Sequence, residues 1–221
     1  MGVLLINPNT SAAATDLMVA VARRAAAGRL AVTGATAAFG APLITDETSL
    51  AIAADAVIAS ASEHAAGDLD GVIVAAFGDP GLEVLKARLG CPVVGLAEAS
   101  MMEAAAGGRR FSVATTTPRL VDAIRRCAVR HGLARQLLSI RTTPGDPETV
   151  MADLTTLRGR LREEVRSAIE EDGAEAVIIG GGPLADAATD LARELATMVI
   201  EPVPAAIRAL LGRKTSMQAA G

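Results

Sequence analysis

Gly71-Val-Ile-Val-Ala-Ala-Phe-Gly-Asp-Pro80 and Ala176-Val-Ile-Ile-Gly-Gly-Gly-Pro-Leu-Ala185 are one device written twice, 105 positions apart. Each is an apolar, β-branched run of strand length that breaks on glycine and proline. Neighbouring stretches repeat at nearly the same spacing. Leu4-Leu-Ile-Asn-Pro-Asn-Thr10 has its counterpart at Ser112-Val-Ala-Thr-Thr-Thr-Pro118, 108 on, and Pro92-Val-Val-Gly95 at Met198-Val-Ile-Glu201, 106 on. Any one match is within chance among generic strands. Three in the same order at a near-constant offset predict two like halves related by a pseudo-twofold axis.

Working outward, short apolar runs alternate with Ala-rich amphipathic segments. Strands are expected at 3–6, 30–35, 71–75, 93–96, 111–114, 137–141, 176–179 and 198–201. Helices are expected at 12–27, 49–65, 82–89, 118–131, 150–171, 185–194 and 204–211. Strand–helix alternation of this kind reads as βαβ units on parallel sheets. The fold class is therefore α/β, with two pseudo-symmetric Rossmann-like domains, each a mostly parallel sheet flanked by helices, and an active-site cleft between them. The break falls near Ala105-Ala-Gly-Gly-Arg109. The first half is expected to span 1–104 plus 205–221, its last helix crossing back, and the second 105–204.

Composition agrees with a packed domain pair and excludes several classes of function. Of 221 residues, 51% are hydrophobic and 21% charged, so the chain has ample core material. With three Phe and no Trp or Tyr, the core is built from Ala, Val, Leu and Ile. A net charge of −4 argues against a nucleic-acid partner. The basic clusters at Arg158-Gly-Arg-Leu-Arg162 and Arg208 to Lys214 read as solvated helix faces. No apolar run approaches the ~20 residues a membrane-spanning helix needs. The N-terminus reads as a buried strand rather than a secretory leader, and Gly2 as a chance myristoylation match. Cys91 and Cys127 form neither a disulfide framework nor a metal pattern, which points to a reducing cytoplasm. With two histidines, no catalytic zinc site is expected. Gly180-Gly-Gly182 lacks the complete dinucleotide-binding spacing.

In open parallel sheets, ligands bind beyond the carboxyl ends of the strands. That rule selects Asn7, Asn9 and Thr10 after the first strand, and Thr115, Thr116 and Thr117 after its counterpart. It also selects Ala76, Phe77 and Gly78 after the third strand, and Gly181, Gly182 and Pro183 after its counterpart. Helix N-termini, Asn and Thr at these places suit a small carboxylate, imide or ureide. The alternative is that these residues only cap helices and turn the chain.

Several of these residues also carry a family resemblance. Ile6-Asn-Pro-Asn-Thr-Ser11, Ala75-Ala-Phe-Gly-Asp-Pro-Gly-Leu82, Pro92-Val-Val-Gly-Leu-Ala-Glu-Ala99 and Phe111-Ser-Val-Ala-Thr-Thr-Thr117 resemble the motifs of the Asp/Glu/hydantoin racemase family, nearest its hydantoin and allantoin racemase branch. The resemblance covers essentially the whole chain. It implies two pseudo-symmetric α/β domains with a cysteine from each flanking the substrate, and no metal or pyridoxal cofactor. One thiolate removes the α-proton and the opposite thiol protonates the other face. In this sequence the first family cysteine falls on Ala76 and the second on Gly181, 105 apart, which matches the repeat offset. Neither side chain carries a proton, so the two-thiol route does not transfer.

Cys91, just before a strand, and Cys127, mid-helix, read as packing residues. His64 and His131 read as surface or C-terminal capping residues. The remaining proton carriers are Asp79, Glu98 and Glu47, each with a capping, pairing or solvated-loop alternative; Glu98 is offered Arg109 or Arg110 as a partner. Three functions follow from these residues together with what the resemblance implies. One is a cofactor-independent isomerase acting on a small carboxylate or cyclic ureide. The second is a decarboxylase or hydrolase using backbone N–H stabilisation in the same cleft. The third is a non-catalytic small-anion-binding relative. A homo-oligomer is expected.

Overall fold

The computed structural model describes residues 2–65, 68–195 and 198–219, with side chains to 213. Among the described residues, two four-stranded parallel sheets repeat one order. The first is β2 (Val32–Thr36), β1 (Val3–Asn7), β3 (Gly71–Val74) and β4 (Val93–Gly95). The second is β6 (Leu137–Thr142), β5 (Phe111–Thr115), β7 (Ala176–Ile179) and β8 (Met198–Ile200). Even the register repeats: Val3 lies opposite Gly71 in one sheet and Phe111 opposite Ala176 in the other. The α/β architecture of two flanked parallel sheets holds. β1, β3, β5 and β7 are buried along their whole length. That is why they read as continuous apolar runs rather than alternating ones.

The helices are α1 (Ala12–Ala26), α2 (Glu47–His64), α3 (Leu82–Arg88), α4 (Leu96–Ala104), α5 (Val121–Arg130), α6 (Pro147–Ala152), α7 (Leu154–Glu170), α8 (Ala185–Glu194) and α9 (Pro202–Ala219). Four differ from the sequence expectation, the plainest in length being α9, which was expected over 204–211. α4 was not expected, because Leu96-Ala-Glu-Ala-Ser-Met-Met continues the apolar run of β4 without a break. The expected helix 150–171 is two helices, split where extended Asp153 accepts N–H bonds from Thr155 and Thr156. The expected helix 118–131 opens with a 3-10 turn at Pro118–Leu120.

Side chains alternate along each strand, and this sorts the core into layers. Val3 and Leu5 join Phe111, Val113 and Ile178 in one core shared by both halves, with Met18, Phe77 and Ile124 between them. Leu4 and Ile6 pack outward with Val57, Leu82 and Leu85 of α2 and α3. Ala114, Val177 and Ile179 pack outward with Leu157, Leu161 and Leu191 of α7 and α8. α9 lies on α1 and α4. Arg158 and Arg162 pair with Asp190 and Glu194 of α8, whereas the Lys214 side chain falls outside the described residues. No described helix is long and apolar enough to cross a membrane.

The halves meet closely at Gly182, just past β7. A Cβ there would stand 2.5 Å from Met18 Sδ and 2.8 Å from the Ala75 carbonyl oxygen of the other half. Methionine can yield but backbone cannot. Gly182→Ala is therefore expected to lower unfolding free energy by about 1–3 kcal/mol, the usual range for overpacking. A urea midpoint equal to wild type would contradict this contact.

Candidate functional site

The carboxyl ends of both sheets open onto one cleft of about 460 Å³, its mouth included. The first half contributes Asn9, Leu43, Ile44, Ala75, Ala76 and Phe77. The second contributes Thr117, Leu120, Met151 and the run Gly180 to Leu184. Positions 76 and 181 thus share the cleft, one from each half.

The polar residues selected from sequence divide into those that line the cleft and those that build it. Asn7 is fully buried, and its amide donates to Asn9 Oδ1 at 2.8 Å, the Ser11 carbonyl at 3.1 Å and Thr15 Oγ1 at 3.0 Å. It shapes the turn that presents Asn9. Thr10 donates its N–H to the Ala41 carbonyl and so ties down the loop carrying Leu43 and Ile44. Thr115 Oγ1 donates to the Gly180 carbonyl at 2.7 Å and lies 3.1 Å from Thr117 Oγ1. Thr116 Oγ1 contacts Met151 Sδ at 3.8 Å. Asn9, Thr117, Ala76, Phe77, Gly181, Gly182 and Pro183 line the cleft; Asn7, Thr10, Gly78, Thr115 and Thr116 stand behind it. The N–H groups of Ala76, Phe77, Thr116, Thr117 and Gly182 have no hydrogen-bond partner among the described residues.

The carboxylates lie elsewhere. Asp79 sits past the wall, its oxygens accepting the N–H groups of Ala97 and Glu98 at 2.8 and 2.7 Å. Burial pushes its carboxyl up from the ordinary value, against the pull of His131 and those two N–H donors. Glu98 occupies the first turn of α4 and pairs with Lys86 at 2.8 Å and Arg213 at 3.6 Å. Arg109 and Arg110, its expected partners, do not reach it: the Arg109 side chain donates to the Ala104 and Glu103 carbonyls, and the Arg110 backbone N–H donates to the Glu175 carboxylate. Glu47 opens α2 and pairs with Arg126 of α5 at 2.8 Å, while neighbouring Asp46 lies 4.0 Å from Arg119. These two pairs join the halves on the surface.

Cys127 is buried with its thiol donating to the Gly78 carbonyl, and burial, then Asp79, pushes it up to about 12. Cys91 is also pushed up by burial. His64 bonds the Ser60 carbonyl at the end of α2. His131 stands at the C-terminus of α5 but turns inward, 3.9 Å from Asp79, rather than facing solvent. No group of three or more His, Cys, Asp or Glu among the described residues is placed to hold a metal ion.

Sequence reasoning did not select Leu43, Ile44, Ala75, Leu120, Met151, Gly180 or Leu184 as site residues. Apolar residues carry no chemical signature; only their position past strand ends marks them. With them the cleft is complete. Its described lining is apolar side chains, one amide, one hydroxyl and free backbone donors, with no titratable side chain.

A family model described as Asp/Glu/hydantoin racemase matches residues 3–210. A hydantoin racemase of Pseudomonas sp. (strain NS671) is 32% identical over 221 residues, covering 98% of this chain and 89% of that protein. Allantoin racemase from Klebsiella pneumoniae superposes with a TM-score of 0.91 at 32% identity, over 97% of this chain and 88% of that one. Allantoin racemase from Pseudomonas fluorescens gives 0.90 at 28% identity, over 96% and 90%.

Proposed function

The chain belongs to the Asp/Glu/hydantoin racemase family, and from there we propose that it acts on a neutral cyclic ureide, a 5-monosubstituted hydantoin, exchanging the C5 proton in the cleft without a cofactor. The observation that carries this reading is the chemistry of the lining. Leu43, Ile44, Phe77, Leu120, Met151 and Leu184 suit an apolar 5-substituent, while Asn9, Thr117 and the free N–H groups suit the ring's carbonyls and N–H. A carboxylate such as aspartate or glutamate would enter this cleft with no cation to meet it, at a desolvation cost a neutral ring avoids.

The C5 proton of a hydantoin is flanked by a carbonyl, so its removal places charge on the C4 oxygen. The unpartnered N–H groups of the lining residues Ala76, Phe77 and Gly182 are the donors available to stabilise that enolate, and one such donor contributes about 10²–10³-fold. With Ala at 76 and Gly at 181, no side chain of the described lining accepts the proton. Water in the cleft carries it instead. Solvent reaching either face of the planar enolate then gives racemisation.

The test is incubation in D₂O with single enantiomers of 5-benzylhydantoin, 5-isobutylhydantoin, allantoin, aspartate and glutamate, followed by proton NMR and polarimetry. The C5 proton and the optical rotation of the two apolar hydantoins are expected to disappear together, above the rate without protein, with aspartate and glutamate untouched. Silence towards the hydantoins with turnover of an amino acid would sink the reading.

A further inference from the structure

Asp79 is the one buried charged residue among the described residues, and the chemistry proposed above does not use it. We propose that Asp79 and His131 are a positioning pair for the cleft: they hold its Ala76–Gly78 wall against the opposite half, and a proton shared between them sets how firmly.

The wall begins two residues past β3, at Ala76, and turns back within three residues. Asp79 closes that turn by donating its N–H to the Ala76 carbonyl at 3.2 Å. It does so at φ +53°, a left-handed conformation that asparagine and aspartate tolerate better than most residues and that surrounding contacts must hold. Those contacts come from both halves. On the first, the carboxylate seats on the Ala97 and Glu98 N–H groups at the start of α4. It fills space that only glycine leaves at position 95, where a Cβ would lie 2.3 Å from the carboxyl. On the second, Cys127 Sγ donates to the Gly78 carbonyl at 3.4 Å and His131 Nε2 faces Asp79 Oδ2 at 3.9 Å. The imidazole is nine-tenths buried, and Nε2 has no hydrogen-bond partner. A movement of about 1 Å would bring the pair to bonding distance.

Other charged groups around the pair are accounted for on each packed element. On α5, Arg126 pairs with Glu47 of α2 and Arg130 is exposed. On α4, Glu98 turns to Lys86 and Arg213, and Glu103 to Arg208 of α9. Glu83 on α3 pairs with Lys86, and Asp55 on α2 lines the outer groove beyond Asp79. Cys127 stays protonated. A proton on His131 Nε2 would draw the imidazole to the Asp79 carboxylate across the halves and firm the wall; without that proton the attraction is lost and the wall loosens.

The test uses the intact chain. Amide resonances of Ala76, Phe77 and Gly78 are followed from pH 5 to 8 beside the His131 ring proton, and affinity for 5-benzylhydantoin is measured calorimetrically at both ends. In wild type the three amides are expected to titrate with His131, and affinity to fall about five- to tenfold as pH rises. In His131→Gln both dependences flatten, whereas His64→Gln behaves as wild type. Wall amides that stay still while His131 titrates in wild type would overturn the proposal, as would a His131→Gln profile identical to wild type. If wild type binds no hydantoin, the functional reading fails on that arm alone and the amide titration still decides this one.

Discussion

Placing cysteine at both positions, Ala76→Cys with Gly181→Cys, is expected to raise C5 proton exchange on 5-benzylhydantoin by about 10²–10⁴-fold, the usual yield of a positioned general base. Both positions line the cleft, one from each half, so the thiols would approach the reacting carbon from opposite sides. Thiols near helix N-termini ionise readily enough to serve. Each single variant has a base on one face only. It is expected to exchange deuterium into one enantiomer with retention, and only the double variant should racemise at the higher rate. Position 181 needs room, because a Cβ there meets Leu184 Cγ and Cδ1 at 3.0 Å. A Leu184→Ala companion supplies it. A folded triple variant that binds hydantoin yet exchanges no faster than wild type would contradict a reacting carbon between 76 and 181.

Asp79→Ala carries the largest expected stability change, a loss of about 3 kcal/mol in unfolding free energy. For a chain of this length that is roughly 6–12 °C in Tm. The substitution strips the Ala97 and Glu98 N–H groups of their acceptor and opens a void against Gly95. Glu98→Gln and Glu47→Gln remove partly exposed pairs and should cost about 1 kcal/mol or less. The pH dependence has a definite sign. Burial raises the Asp79 carboxyl above its ordinary 3.8 in the folded chain. Between the unfolded and folded values the native state holds a proton the unfolded state has released. Stability from this group is thus complete below the unfolded value and falls as pH rises through that window. Asp79→Asn cannot titrate and should lose that slope. Calorimetric scans from pH 4 to 8 check both statements, and equal melting of Asp79→Ala and wild type would contradict the anchor.

The repeat was legible because each half must build the same buried parallel sheet, and β1, β3, β5 and β7 carry that demand as near-identical apolar runs. The cleft was legible in outline for the same reason: strand ends fix where it lies, so Asn9, Ala76, Phe77, Thr117 and Gly181–Pro183 could be named. Helix α4 was not legible. Leu96 and Ala97 carry the apolar run of β4 on into the shared core, and no side chain at the cap position marks the start: Gly95 stands there and the acceptor comes from Asp79, 18 residues before Ala97. The same long-range bond explains why Asp79 read as a catalytic candidate. A buried carboxylate beside a cleft and a carboxylate clamping a distant helix look alike until their partners are seen. Glu98 followed from that displacement, since a residue expected on a loop lies on a helix facing Lys86.

The measurement that bears most directly on the account is the pH dependence of C5 exchange by wild type at saturating 5-benzylhydantoin. A cleft that stabilises the enolate but leaves the proton to solvent predicts a rate rising about tenfold per pH unit, unchanged in slope by Asp79→Asn, Glu98→Gln or Glu47→Gln. A bell or plateau near neutrality that one of those variants shifts would mean that a protein side chain takes the proton.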